Sequence, residues 1–276
     1  MMIKQIVKFL FNLVKLFFLV EEENEKMIKE EIKTKEAEPI KTQPLEPIKV
    51  KEAPIPVESK FEIHKRFLKP DQYVRSTTEK TGIVLHHTVG GSADSTFRYW
   101  NESKDRVATH FLIDRNGSVY QCFPLNNWAF HIYIKSPGNK IPQKYKNLGQ
   151  EYDKRLIGIE LCSFGPVTAR NGRFYTIYNK EIDKSKVVKQ SYRGYDYWED
   201  YTDEQIESLK YLLQNLLVQY PVIAQSLKTD YSDIFNINQQ ALDLKPGIYS
   251  HTSYRQDKSD CVPTPKLLAM LNTLNS

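Results

Sequence analysis

Three residues far apart in this 276-residue chain carry side chains suited to metal-assisted hydrolysis. His86 stands at the end of an apolar run, Ile83-Val84-Leu85-His86-His87-Thr88, while His251 and Asp260 lie far downstream in SHTSYRQDKSD (250–260). Two imidazoles and a carboxylate suit a zinc ion that keeps a fourth position open for water. Such a site attacks unreactive bonds, because zinc makes water acidic enough to react near neutral pH. Each histidine alone is ordinary, since this side chain has many uses besides binding metals. The weight lies in the combination of a His-His-Thr strand end with a downstream His…Lys-x-Asp. Side chains alternate along a strand, so only one of His86 and His87 faces a given ion.

These residues need elements to hold them. TGIVLHHTV (81–89) reads as a buried strand from its β-branched run. VATHFLI (107–113) and SVYQCF (118–123) read as two strands around Asp114-Arg115-Asn116-Gly117, with Asn-Gly as the hairpin signal. LIGIELC (156–162) is another strand, and Asn171-Gly172 separates two strand-like pieces, 167–170 and 173–178. A helix is expected to start over 95–101. Thr202-Asp203-Glu204-Gln205 is a capping box opening a second helix, with Ile206, Leu209, Leu212, Leu213, Leu216 and Leu217 on one face and Pro221 as its end. A short helix is expected over 265–274. Strands interleaved with helices, with at least one hairpin, predict an α/β (α+β) fold: a central mixed sheet flanked by helices.

Length allows one good-sized core plus extensions. The net charge of +5 is modest and spread out. It permits attraction to an anionic surface but gives no basic stripe of the kind that binds nucleic acid. Cys122, Cys162 and Cys261 are odd in number and form no CxxC pair, which argues against a disulfide framework or a cysteine-rich zinc knuckle. Residues 61–276 are expected to form the folded domain. Residues 21–60, rich in Glu, Lys and Pro, read as an extended or disordered linker. Residues 1–20 are strongly apolar, yet Lys4, Lys8, Asn12 and Lys15 form one polar stripe on a helix. That pattern fits a helix lying on a membrane surface or packed on a protein partner. A membrane span and an unusual export signal stay open, although three lysines and the absence of a small-residue cleavage site before Glu21-Glu22-Glu23 weigh against both.

Six segments occur in an order that resembles the zinc-dependent N-acetylmuramoyl-L-alanine amidases, which share a fold with peptidoglycan recognition proteins and amidase-type phage lysozymes. They are IVLHHT, VATHFLIDRNGSVYQCFP, WAFHI (128–132), LIGIEL, YTDEQIESLKYLL and SHTSYRQDKSDCVP, within a similarity that covers roughly 78–274. The resemblance implies one zinc ion held by His86, His251 and Asp260. The family's third ligand is Asp or Cys, commonly two residues after a lysine. Lys258-Ser259-Asp260 obeys that spacing, while Cys261 next door offers a thiolate that also suits zinc. Glu160 is implied as general base, taking a proton from the attacking water and delivering it to the departing amine. A carboxylate closing an apolar strand is otherwise unexpected unless it pairs with a cation. Lys258 is implied as the oxyanion stabiliser, against the plainer reading of a solvated loop lysine. His110 and His131 are implied to touch substrate or to support the ligands.

The implied substrate is peptidoglycan, cut between N-acetylmuramic acid and L-alanine. Two other roles use the same fold: a non-catalytic peptidoglycan-binding module, and a structural protein of a virion or envelope. Loss of a ligand marks the non-catalytic relatives, and here all three positions are filled. A phage-encoded lysin and a bacterial envelope enzyme both fit the layout.

Overall fold

The computed structural model describes residues 61–275. The expected N-terminal helix (1–20) and linker (21–60) lie outside the described residues. Eleven strands run in chain order among the described residues: β1 (Ile63–Lys65), β2 (Gly82–His87), β3 (Phe111–Ile113), β4 (Val119–Gln121), β5 (Leu156–Leu161), β6 (Val167–Arg170), β7 (Arg173–Thr176), β8 (Glu181–Ile182), β9 (Val187–Tyr192), β10 (Tyr195–Glu199) and β11 (Gly247–Ser250). The three longest helices are α1 (Ala93–Glu102), α2 (Asp203–Gln219) and α3 (Pro265–Asn272).

Six strands build the central sheet in the order β1-β4-β3-β5-β2-β11. The run β3-β5-β2-β11 is parallel, and β4 pairs antiparallel with β3 through the Asn116-Gly117 turn. The sheet is therefore mixed, as expected. Neighbouring side chains divide between its faces. Ile113 joins Leu85, Ile159 and Leu161 under Leu209, Leu212, Leu213 and Leu216 of α2. Leu112 instead joins Cys162 and Phe123 against Ala93, Phe97 and Trp100 of α1. One amphipathic helix thus covers each face.

Helix starts follow the local chemistry. The Thr202 side chain accepts from the Gln205 N–H and Gln205 returns the bond, forming the expected box. Ser92 and Ser95 do the same for α1. The Asn171-Gly172 turn places both residues at positive φ (50° and 77°), the conformation a tight two-residue hairpin requires. It joins β6 to β7, and β8 completes a three-stranded sheet beside the β9–β10 hairpin.

Three expectations change in detail. VATHFLI contributes only Phe111–Ile113 to the sheet, because Val107 bridges to Phe130 instead. Helix α2 ends at Gln219, but Pro221 then opens a further turn, Pro221–Ala224, at a helix position where proline's missing N–H costs nothing. The strand β11, which was not anticipated, pairs Ser250 with Leu85 and so fixes where His251 emerges.

Candidate active site

The register of the parallel strands brings the separated residues level. Ser250 pairs with Leu85 and His86 pairs with Glu160, so His251, His86 and Glu160 leave three adjacent strands at their C-terminal ends. In open α/β sheets that edge is where ligands bind. His86 and Glu160 are in register and share a sheet face. His87 points to the other face, near Trp198, with its Nδ1 3.3 Å from the Tyr201 hydroxyl.

Three donor atoms converge. His86 Nδ1 lies 3.1 Å from His251 Nδ1 and 3.1 Å from Asp260 Oδ2, and His251 Nδ1 lies 2.9 Å from the same oxygen. Tetrahedral zinc with bonds of about 2.0–2.1 Å keeps its ligand atoms roughly 3.3 Å apart, so this triangle has the size of one coordination face. Among the described residues this is the one group of three such side chains gathered tightly enough to hold an ion. The outer contacts agree. His251 Nε2 donates to the Ile132 carbonyl at 3.1 Å and its Nδ1 turns to the triangle. His86 turns Nε2 to His131 Nδ1 at 3.1 Å and Nδ1 to the triangle.

Asp260 and its neighbour Cys261 separate cleanly. The Cys261 thiol lies 2.7 Å from the Tyr201 hydroxyl, which also accepts from the Val262 N–H at 3.2 Å. Burial pushes this thiol well above its ordinary pKa. It sits on Tyr201 while Asp260 reaches the imidazoles. Burial alone would raise the Asp260 carboxyl, but charge and hydrogen bonding at His251 and His86 outweigh it and hold the group well below the usual range. Burial lowers His86 to about 4, so its ring is neutral, as a ligand must be.

Glu160 Oε2 is buried and has no hydrogen-bond partner. Desolvation, with Asp260 adding repulsion, lifts the carboxyl well above 4.5, and Lys258 only partly offsets this. The plain reading of Glu160 as half of a structural ion pair therefore finds no partner here. Lys258 is half-buried beside the ligand loop, and its charge is felt at Glu160 and His86.

His110 departs from expectation. It is 0% exposed, its Nε2 donates to the Asn127 carbonyl and its Nδ1 accepts from the Gly158 N–H. With both ring nitrogens used by the backbone and no exposed surface, it is placed to support the sheet. His131 is also buried and serves His86 rather than the surface; its Nε2 has no partner. Other supports carry no distinctive signal in the residue pattern. Asp153 Oδ1 accepts from the N–H groups of both His131 and Ile132 at 2.9 Å. Tyr201 braces the backbone that follows Asp260. The only signal for Asp153 was a carboxylate three residues before an apolar strand, which also describes many solvated turns.

The loop leaving His86 is braced as well. Val89, a β-branched residue, sits at φ 51°, a strained conformation. Its carbonyl accepts from the Tyr178 hydroxyl at 2.8 Å, and Arg115 donates to the carbonyls of Gly90 and Gly91 while gripping Glu199 through both carboxylate oxygens. The 165–200 insertion thus fastens to the edge of the site.

A family model described as N-acetylmuramoyl-L-alanine amidase matches residues 76–264, a span that contains every residue of the triangle together with Glu160 and Lys258. The chain belongs to this family. The amidase is accordingly an enzyme that hydrolyses the amide between N-acetylmuramic acid and L-alanine in peptidoglycan. Similar solved structures include PlyL (14% identity, TM-score 0.44, covering 78% of this chain and 98% of that one) and the catalytic domain of XlyA (14%, 0.43, 78% and 99%). They also include the N-acetylmuramoyl-L-alanine amidase LysC from Clostridium intestinale URNW (17%, 0.38, 76% and 97%). No curated protein matches the chain.

Proposed function

We propose that this amidase is a mononuclear zinc hydrolase whose ligands are His86, His251 and Asp260. The observation that supports this most directly is the convergence of His86 Nδ1, His251 Nδ1 and Asp260 Oδ2 to within 2.9–3.1 Å of one another. Zinc, when bound, supplies Lewis acidity at neutral pH. Glu160 takes a proton from the attacking water as its oxygen adds to the lactyl carbonyl carbon. When the C–N bond breaks, Glu160 returns that proton to the nitrogen of the departing L-alanine. A buried carboxylate oxygen without a structural partner suits this task, because it is desolvated and available. Lys258 supplies positive charge to the tetrahedral intermediate's oxygen. His131 fixes the ring orientation and tautomer of His86.

The test is mass spectrometry of sacculus digests, with and without a chelator, alongside metal analysis of the purified protein. His86→Ala and His251→Ala are expected to lose bound zinc and the release of stem peptide together. Protein shown to be metal-free that still releases stem peptide at the full rate would refute the zinc reading.

A further inference from the structure

We infer that Asp153 is a positioning residue for both metal-binding imidazoles, acting through His131 and Ile132. The inference rests on the reading of His86, His251 and Asp260 as a metal centre.

Residues 131 and 132 belong to no strand or helix. Their backbone N–H groups bond instead to one buried oxygen, Asp153 Oδ1, each at 2.9 Å. From this short segment two contacts reach the site. The His131 ring takes His86 Nε2 at 3.1 Å, and the Ile132 carbonyl takes His251 Nε2 at 3.1 Å. Each contact occupies the ring nitrogen that faces away from the donor triangle. One carboxylate therefore sets the angle and the tautomer of two ligands from different strands. Asp153 is 2% exposed and sits in the short helix Glu151–Arg155 that runs directly into β5, so its position is tied to the strand carrying Glu160.

The packing around the segment leaves little freedom. A Cβ on Gly158 would come within 3.1 Å of His131 Nδ1 and 2.7 Å of Thr109 Cγ2. The imidazole thus lies almost on the β5 backbone, held below by glycine and behind by Asp153. Arg255 adds a longer bond to the Ile132 carbonyl, 3.4 Å from Nη1. Without Asp153, two buried N–H groups lose their acceptor. Outer partners of ligating histidines commonly change metal affinity by about 10–100-fold.

The experiment measures Zn2+ affinity of the full chain by chelator competition, with the Co2+ absorption spectrum as a second readout. Asparagine keeps an oxygen that accepts both N–H groups, so Asp153→Asn is expected within roughly threefold of the native affinity, whereas Asp153→Ala is expected to weaken it about 10–100-fold and to alter the Co2+ spectrum. Leu213→Ala, in the core under the opposite sheet face, controls for general destabilisation and should leave affinity within the same roughly threefold range. If Asp153→Ala does not accumulate as folded protein, Asp153→Ser replaces it, with the same expected loss. Native affinity in the Ala or Ser variant overturns the inference, and so does equal weakening in Leu213→Ala or in Asp153→Asn. A native chain that binds no Zn2+, or one whose affinity is unchanged by His86→Ala, overturns the metal centre itself and this inference with it. Native binding abolished by His86→Ala preserves the metal centre and leaves the Asp153 series to decide.

Discussion

At the scale of the residue, Glu160 is where stability and function oppose each other. Its carboxyl is lifted well above 4.5, first by desolvation and then by Asp260. Between 4.5 and the raised value, the folded protein holds a proton that the unfolded chain has released. Stability therefore falls as pH rises through that window, and the cost persists above it. In the proposed mechanism the same ionisation creates the base, so turnover should rise with pH where stability falls. Glu160→Gln separates the two effects. It should retain zinc and lose about 10²–10⁴-fold in kcat, the usual worth of general acid–base catalysis. It should also melt above the native protein on the alkaline side of the window and coincide with it below pH 4.5. Thermal melts across pH, read against kcat/KM on a soluble muropeptide, check both. A native-like rate in the Gln variant removes Glu160 from the mechanism, and a lower melting temperature at alkaline pH removes the desolvation account.

At the scale of the element, the site depends on how closely β5 approaches what lies above it. Gly158 has the Thr109 side chain and the His131 ring where a Cβ would stand, at 2.7 and 3.1 Å. Gly158→Ala should cost about 1–3 kcal/mol from overpacking, with a loss of zinc affinity because His131 must move off His86. Urea unfolding and metal titration measure the two costs, and a destabilised variant with native zinc affinity would show that His131 does not transmit the strain. The sequence made some elements plain and hid others. Strands β2 and β5 were legible because their apolar, Ile- and Leu-containing runs are nearly continuous, as strands buried on both faces require. The start of α2 was legible because Thr202 and Gln205 satisfy each other's backbone partners locally. Strand β11 is four residues buried throughout, with no alternation to read, and only its pairing with β2 defines it. The donor triangle of His86, His251 and Asp260 could be picked out by residue type and spacing. Their support could not, since Asp153 acts through backbone N–H groups that any sequence supplies. His110 shows a related limit: a histidine bonded entirely to backbone looks in sequence like one aimed at substrate.

At the scale of the whole molecule, the family match over residues 76–264 contains the candidate site. Residues 1–57, by contrast, combine an apolar stretch bearing three lysines with a Glu-, Lys- and Pro-rich tract, a composition suited to attachment at a distance. We propose that this part localises the enzyme, to a membrane surface or a protein partner, and takes no part in hydrolysis. A chain beginning at Glu58 should then melt as one cooperative unit and cleave a soluble muropeptide within roughly twofold of the native kcat/KM, since no group the reaction uses is removed. On intact envelopes the same truncation should be slower, because an attached enzyme meets its substrate at a raised local concentration that the free one lacks. The two substrates make the test decisive. A large loss on the soluble muropeptide would make residues 1–57 part of the catalytic domain, and equal rates of both proteins on envelopes would remove the localising role.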